Sequence, residues 1–247
     1  MKIGITERGD AARHFKKWIA KLDSVDGVIA ITKDPLLLYK KLKKYKVPAD
    51  KLIVHCTITG WGSTPLEPHV PDYKNALKGH KKFVSWLGPA KTVLRVDPIF
   101  PTEKGFVKAK KVLSEAVYSR VRISFLDLYN HIKGRFYQLG KEDINYYLED
   151  LISVYELGKI HAPLWYRKRL VKNLQPYTSA LLEICGEPGF TCLGCVSKDD
   201  LSALELEWDQ KTVGKQRVAC NCLAVKTELL DRRKSCKHGC LYCYWQG

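Results

Sequence analysis

Short apolar runs recur along the first two-thirds of the chain, each followed by a stretch with apolar residues three and four apart. The runs predict strands at Lys2–Thr6, Val28–Thr32, Leu52–Ile58, Thr92–Val96, Val121–Phe125 and Leu181–Ile184. Between them the period changes to that of a helix. Phe15, Trp18, Ile19 and Leu22 share one helical face, and Ala109, Val112, Leu113, Ala116 and Val117 share another. Asp34-Pro35 carries a helix start, with proline in the first turn. Further helices are expected over 72–86, 141–157 and 163–174, and Asp97-Pro98 is expected to stop the fourth strand. Strands alternating with helices specify an α/β fold with a parallel sheet. Six such units without an internal repeat predict a partial (βα)6, TIM-like barrel, with an open doubly wound sheet as the alternative.

From Cys185 onward the composition changes to a cysteine-rich, loop-like stretch without long apolar runs. The division expected is therefore a barrel core over 1–184 and a metal-binding tail over 185–247, packed on the core. The tail is too short to build a core of its own, so metal would substitute for packing there. Eight of the nine cysteines lie in it. The ninth, Cys56, falls in a predicted strand and reads as a small buried hydrophobe. No signal peptide or membrane-spanning run is recognisable, which predicts a cytoplasmic protein without a membrane partner. In that compartment cysteines point to metal or catalysis before disulfides.

Charge narrows the partners. Lys plus Arg number 42 against 26 Asp plus Glu, a formal net charge of +16. Basic clusters at 40–46, 78–82, 104–111 and 167–172 favour a polyanion, nucleic acid or nucleotide above others, through counterion release. The same lysines also suit the solvated outer faces of helices.

The densest chemistry is Cys236-Lys237-His238-Gly239-Cys240-Leu241-Tyr242-Cys243. Three thiolates on one tight loop can hold three corners of a [4Fe–4S] cube and leave the fourth iron open. A structural zinc knuckle completed by a distant ligand is the alternative. The spacing of Cys236, Cys240 and Cys243, with Tyr242 before the last, resembles the cluster loop of radical S-adenosylmethionine (SAM) enzymes. That resemblance implies SAM on the open iron, one-electron cleavage to a 5′-deoxyadenosyl radical, and a reductase or other electron donor. The loop here lies near the C-terminus, and no Gly-Gly-Glu stretch follows a strand. Arg232, Arg233, Lys234, Lys237 and His238 surround the loop in sequence and would raise a cluster's potential or meet phosphate. Tyr242, Tyr244 and Trp245 would stack on a base or close over the cluster.

In a parallel barrel the loops after the strands meet at one mouth. Those positions are Thr32-Lys33, Thr57 to Gly62, Arg95, Asp97, Ser124 and Asp127. A charge alternating along an apolar strand points inward, which makes Arg95 an anchor for a carboxylate or phosphate. Arg95, Asp97 and Ser124 are the candidate catalytic residues. Thr59, Gly60, Gly62 and Tyr242 are the candidate cofactor-binding residues, the glycines for close backbone approach. Several stretches together resemble one family, the domain of unknown function 1848. They are Thr57–Gly62 with Leu66–Pro71, Arg95–Ile99, Ile123–Tyr129, Gln216–Cys222 and Cys236–Tyr244. The resemblance implies a barrel-like core with a C-terminal iron–sulfur site and no particular substrate.

Cys185, Cys192, Cys195, Cys220 and Cys222 remain, five candidates for the four places of a second site. Cys185, Cys220 and Cys222 are joined by either Cys192 or Cys195, with Cys185, Cys195, Cys220 and Cys222 as the preferred set, for a second [4Fe–4S] cluster or zinc. The function expected is a radical-SAM-like enzyme modifying or repairing nucleic acid or a nucleotide. The alternatives are a metal-stapled nucleic-acid-binding protein without catalysis and an iron–sulfur electron-transfer protein.

Overall fold

The computed structural model describes residues 1–138, 143–208, 219–230 and 236–244. Gln216-Arg217-Val218, Arg232 to Lys234 and Trp245, singled out above, lie outside the described residues. The chain is an α/β fold around a seven-stranded parallel sheet. Its strands are β1 (Ile3–Ile5), β2 (Gly27–Thr32), β3 (Leu52–Thr57), β4 (Thr92–Ile99), β5 (Arg120–Phe125), β6 (Leu182–Ile184) and β7 (Lys226–Glu228). The order is β6-β5-β4-β3-β2-β1-β7, so six strands lie side by side in chain order and the seventh joins the far side of β1.

The eight α-helices among the described residues are α1 (Phe15–Ile19), α2 (Pro35–Lys44), α3 (Tyr73–Leu87), α4 (Glu103–Glu115), α5 (Asn130–Gln138), α6 (Asp143–Val154), α7 (Leu164–Leu174) and α8 (Lys198–Ala203). Short polar side chains start several of them. Asp34 accepts from the amide of Leu37 at 3.1 Å, Asp72 from that of Asn75 at 3.1 Å, and Thr102 from that of Gly105 at 3.0 Å. Each satisfies an amide the first turn leaves unpaired, a contribution of about 1 kcal/mol. None of the described helices is long and apolar enough to cross a membrane.

The structure differs from expectation at four places. Helix α5 was not anticipated, and neither was β7, whose Lys-Thr-Glu has no apolar run. β4 does not stop at Asp97 but continues to Ile99, through a cis Asp97–Pro98 peptide. Pro98 has no N–H to give, and the pairing with β5 shifts register between Val96 and Ile99 to accommodate it. Arg167, counted with the surface charge, is instead buried and paired with Glu187 at 2.6 Å.

Strand alternation divides the core. Val28, Ala30, Val54, Cys56, Leu94, Val96 and Ile123 pack in one apolar cluster with Leu38, Phe83, Val112 and Leu170 of the helices. Cys56 is thus the small core hydrophobe expected. Ile3, Ile5, Ile29, Ile53 and Val93 point the other way and pack against the cysteine-rich segment, through Cys185, Cys195, Val196, Leu201, Cys220 and Cys222. Both faces of the sheet are covered, so its strands read as continuous apolar runs. A third cluster, with Trp61, Leu66, Phe100, Leu126 and Phe136, also takes in Cys240 and Tyr242.

Buried histidines make the fold pH-dependent. His80 on α3 is fully buried with its Nε2 2.9 Å from the Ser119 hydroxyl, and burial pushes its pKa down to about 4. The unfolded chain takes up a proton near pH 6.5 that the native one refuses, so stability falls as pH drops from 6.5 toward 4. The loss attributable to His80 is on the order of 3 kcal/mol when its folded pKa is about 4. His55 is lowered too, by burial and by Arg122 and Arg95, so it acts in the same direction. A His80→Gln variant is therefore expected to lose less stability than the parent over that window, as read by urea unfolding at each pH. Parallel profiles would overturn the assignment.

Candidate functional site

The carboxyl ends of the parallel strands surround a cavity of about 620 Å³. Thr32, Lys33, Thr57, Arg95, Asp97, Ser124 and Asp127 all line it, as strand-end positions should in a parallel sheet. Strand pairing explains the grouping. Thr57 pairs with Arg95 across β3 and β4, and Arg95 with Arg122 across β4 and β5.

Arg95, Asp97 and Ser124 form one unit. The Arg95 guanidinium pairs with the Asp97 carboxylate, to which the Ser124 hydroxyl also donates. Burial opposes the charge of both residues, and their mutual attraction outweighs it. Asp97 is held below the usual carboxylate range and Arg95 above the usual guanidinium one. Arg95 lines the cavity, and its Nε is buried without a hydrogen-bond partner.

The three-cysteine loop docks on the same cavity, with Cys236, Cys240 and Cys243 among its lining residues. The segment Leu66–Pro71, which had no role in sequence, is its cradle. Leu241 N donates to Leu66 O at 3.1 Å, and His69 N donates to His238 O at 3.2 Å. Gly239, at φ +66°, turns the loop here. A Cβ on Gly239 would meet Pro68 and His69 at 3.3 and 3.4 Å. Tyr242 is buried, and its hydroxyl donates to Glu67. Lys33 Nζ donates to Glu67 Oε1 at 2.7 Å and to the Tyr242 hydroxyl at 2.9 Å. Tyr244 accepts from the amide of Asp127 at 2.9 Å, which ties the loop to the end of β5.

Asp10 joins these parts and was missed in sequence. Its carboxylate accepts from the amides of Ala12 at 2.8 Å and Lys33 at 2.6 Å, and from the Thr32 hydroxyl at 3.0 Å. His238 Nδ1 donates to His69 O at 3.1 Å, and its Nε2 lies 2.9 Å from Asp10 Oδ2. That second contact is an ion-pair approach, off line for a hydrogen bond. Burial would raise Asp10, but the contact with His238 and the surrounding amides hold it below the usual range. Glu67 was quoted only within its stretch. The usable signal for both was an acidic residue among otherwise apolar or glycine-rich loop positions.

Thr59, Gly60 and Gly62 are not on the cavity wall. Thr59 accepts from the amide of Trp61 at 3.2 Å, and Gly60 adopts φ +84° against Lys108. Gly62 is required by packing, since a Cβ there would fall 1.9 Å from the Pro71 carbonyl oxygen. The close approach these glycines permit is to the chain itself.

The second cysteine group is also assembled. Cys185 Sγ lies 3.6 Å from Cys195 Sγ, Cys195 N donates to Cys222 Sγ at 3.1 Å, and Cys220 Sγ lies 2.9 Å from Cys222 Sγ. Cys192 is turned away into the helix-side core, its thiol donating to Glu187 O at 3.2 Å. All nine cysteines are free of disulfides.

Among the described residues, no three His, Cys, Asp or Glu side chains are placed to hold a single metal ion. The Cys236–Cys240–Cys243 loop nevertheless suits a cluster. Its donors are all sulfur, and a cube takes each thiolate on a different iron, farther apart than ligands on one ion. Burial pushes the thiols of Cys236 and Cys240 up to about 12, with Lys33 working the other way at both. Unligated, both are therefore neutral thiols, and a bound cluster would supply the positive charge that holds them as thiolates.

A family model, Domain of unknown function (DUF1848), matches residues 9–245. The chain belongs to this family. No curated protein and no solved structure matches it. The match of the DUF1848 model takes in both cysteine groups and every strand-end residue of the cavity except Glu7 and Arg8, which precede it.

Proposed function

We propose that this protein is a radical-SAM-like iron–sulfur enzyme whose reaction chamber is the cavity at the strand ends. The observation that carries this reading is the meeting of the three-cysteine loop with Arg95, Asp97 and Ser124 in one cavity. The sequential strand order supports a sheet curved into a partial barrel, with the chamber at its mouth. Cys236, Cys240 and Cys243 would hold three irons of a [4Fe–4S] cluster. When bound, the cluster and SAM supply one-electron cleavage of SAM and a 5′-deoxyadenosyl radical that takes hydrogen from substrate.

The chain's own residues then position and shield. Lys33, beside Cys240, places a positive charge against thiolate ligands and stabilises the reduced state. The Arg95 guanidinium offers positive charge to a carboxylate, and Asp97 offers a carboxylate to an ammonium group, the two ends of an amino acid moiety. Ser124 holds Asp97 in place. Tyr242 and Tyr244 close the loop side of the chamber against water. A low-potential electron donor is the implied protein partner.

A nucleotide or nucleic-acid substrate is favoured by the formal charge of +16 and by exposed basic faces such as Lys43, Lys44, Lys78, Lys81 and Lys82 on α2 and α3. Nine thiols without a disulfide suit a reducing compartment, as in the cytoplasm. Electron transfer alone is the second reading, favoured by a second cysteine group in which every place can be filled by sulfur.

The test is the spin-resonance spectrum of anaerobically purified, reduced protein with and without SAM. A [4Fe–4S] signal that shifts on adding SAM is expected. A cluster indifferent to SAM would leave electron transfer, and a colourless zinc protein would end the radical reading.

A further inference from the structure

Helices α2 and α3 pack side by side on the helix-covered face of the sheet, and neither contains an acidic residue. Their carboxylates are confined to the N-caps, Asp34 and Asp72. Glycine sets their separation. A Cβ on Gly79 would fall 2.4 Å from the amide nitrogen of Leu36, so α3 reaches α2 this closely only without a side chain there. Every exposed position on the two helices is lysine except Asn75 and Ser85, with three lysines on α2 and four on α3. The lysines that make ion pairs among the described residues are Lys33 and Lys226, in other parts of the chain. The α2–α3 lysines thus present their charge to solvent.

Aromatic rings at the seam hold part of that charge in place. Lys43 Nζ stands 3.8 Å from the centre of the Trp86 ring. Lys43 and Lys82 stand 5.7 and 5.4 Å from the centre of the Tyr39 ring. Ammonium groups held over rings lose less freedom when they meet an anion. Spacing then selects among anions. Lys74, Lys78 and Lys82 recur every fourth residue, as do Lys40 and Lys44, so each row repeats about every 6 Å along its helix. Two phosphate steps along one duplex strand cover about 6.8 Å. An acidic protein has no such regular repeat. A lipid surface calls for apolar side chains between the cations, and the exposed positions of these helices offer none.

We propose that the α2–α3 face is a docking surface for the phosphate backbone of a nucleic acid, so that the substrate is a polymer and not a free nucleotide. The inference rests on the nucleotide or nucleic-acid reading above and narrows it. Both helices start beside the chamber, after the carboxyl ends of β2 and β3, and run away from it. Lys43, Lys44, Lys81 and Lys82 lie about 12–14 Å along the helices from those starts. A single nucleotide seated in the chamber would not reach them, whereas a chain of several nucleotides would reach both.

The experiment uses full-length protein and a fluorescent oligonucleotide of about 20 nucleotides, single-stranded and duplex, titrated by anisotropy between about 50 and 200 mM salt. Binding that weakens steeply with salt and discriminates little between sequences is expected. The variant Lys43→Gln/Lys44→Gln/Lys81→Gln/Lys82→Gln is expected to bind about tenfold or more weakly, with the logarithmic salt slope lower by about 3 to 4. The matched control Lys159→Gln/Lys168→Gln/Arg169→Gln/Lys172→Gln removes as much exposed charge on and before α7. It is expected to lose less than about threefold. Equal losses in the two variants would reduce the binding to diffuse attraction by net charge and overturn the proposal. No binding by the parent, or binding to phosphatidylserine vesicles in place of both oligonucleotides, would overturn it too. Should the α2–α3 variant fail to fold, by its circular dichroism, lysine acetylation of the unsubstituted protein decides. Protection of Lys43 and Lys82 by the oligonucleotide supports the surface, and unchanged labelling refutes it. A missing SAM shift would refute the function proposed above and leave this surface standing, because docking uses no iron.

Discussion

Cys240→Ala is expected to reduce SAM cleavage to background and to strip the iron of the three-cysteine site. Cys240 is the middle ligand of the loop and the most buried of the three, at 5% exposure. A cluster left with two thiolates from this loop would have lost one of its three corners. The backbone contacts of the loop with Leu66 and His69 do not involve the thiol, so the fold should survive the substitution. The measurement is 5′-deoxyadenosine formed from SAM under dithionite, beside iron content and circular dichroism. Retained cleavage in a folded Cys240→Ala protein would sink the radical-SAM reading. Lost cleavage with unchanged iron would instead show that the iron resides elsewhere.

Glu183→Leu is expected to cost about 3–5 kcal/mol of stability. Glu183 on β6 accepts from Arg120 Nε at 2.8 Å and Nη2 at 3.2 Å, and from Arg122 Nε at 2.9 Å and Nη2 at 2.6 Å. Arg122 is fully buried, and its next carboxylate, Asp200, is 3.8 Å away. Removing Glu183 thus leaves a guanidinium in the core without its main partner, which costs more than the pair contributes. The double variant Arg122→Met/Glu183→Leu removes the stranded charge and should recover part of the loss. Urea unfolding midpoints of parent, single and double variants test this. A double variant no more stable than the single one would refute the buried-charge account.

How much of this was legible in sequence follows from the range of the interactions involved. The six strands β1 to β6 were legible because each is an apolar run bounded by breakers, a signal within a few residues. Lys33, Arg95, Asp97, Ser124 and Asp127 were legible as a set, because a parallel sheet brings the residues after its strands to one end. β7 was not legible. Lys226-Thr227-Glu228 has no strand signal and is a strand because it pairs with the free edge of β1, with Leu229 N donating to Ile5 O at 2.8 Å. Gly60 and Gly62 misled for a related reason. A glycine announces that something comes close, without saying whether it is a ligand or, as with Pro71, the chain itself.

The cysteines mark the same division. That Cys236, Cys240 and Cys243 lie near one another was determined by the sequence alone, since they fall within eight residues. The expectation of metal rather than disulfides came from the same source, their number and clustering. Only the tertiary structure decided that this loop lies on Leu66–Pro71 at the strand ends, locked by Glu67, Lys33 and Tyr242. Only it placed Cys195 with Cys185 and Cys222 while turning Cys192 toward Glu187, although the two cysteines are three residues apart. The physical reason is strand alternation and long-range packing. Which face of the sheet a side chain meets depends on partners contributed by distant segments, and no local pattern in the chain encodes those partners.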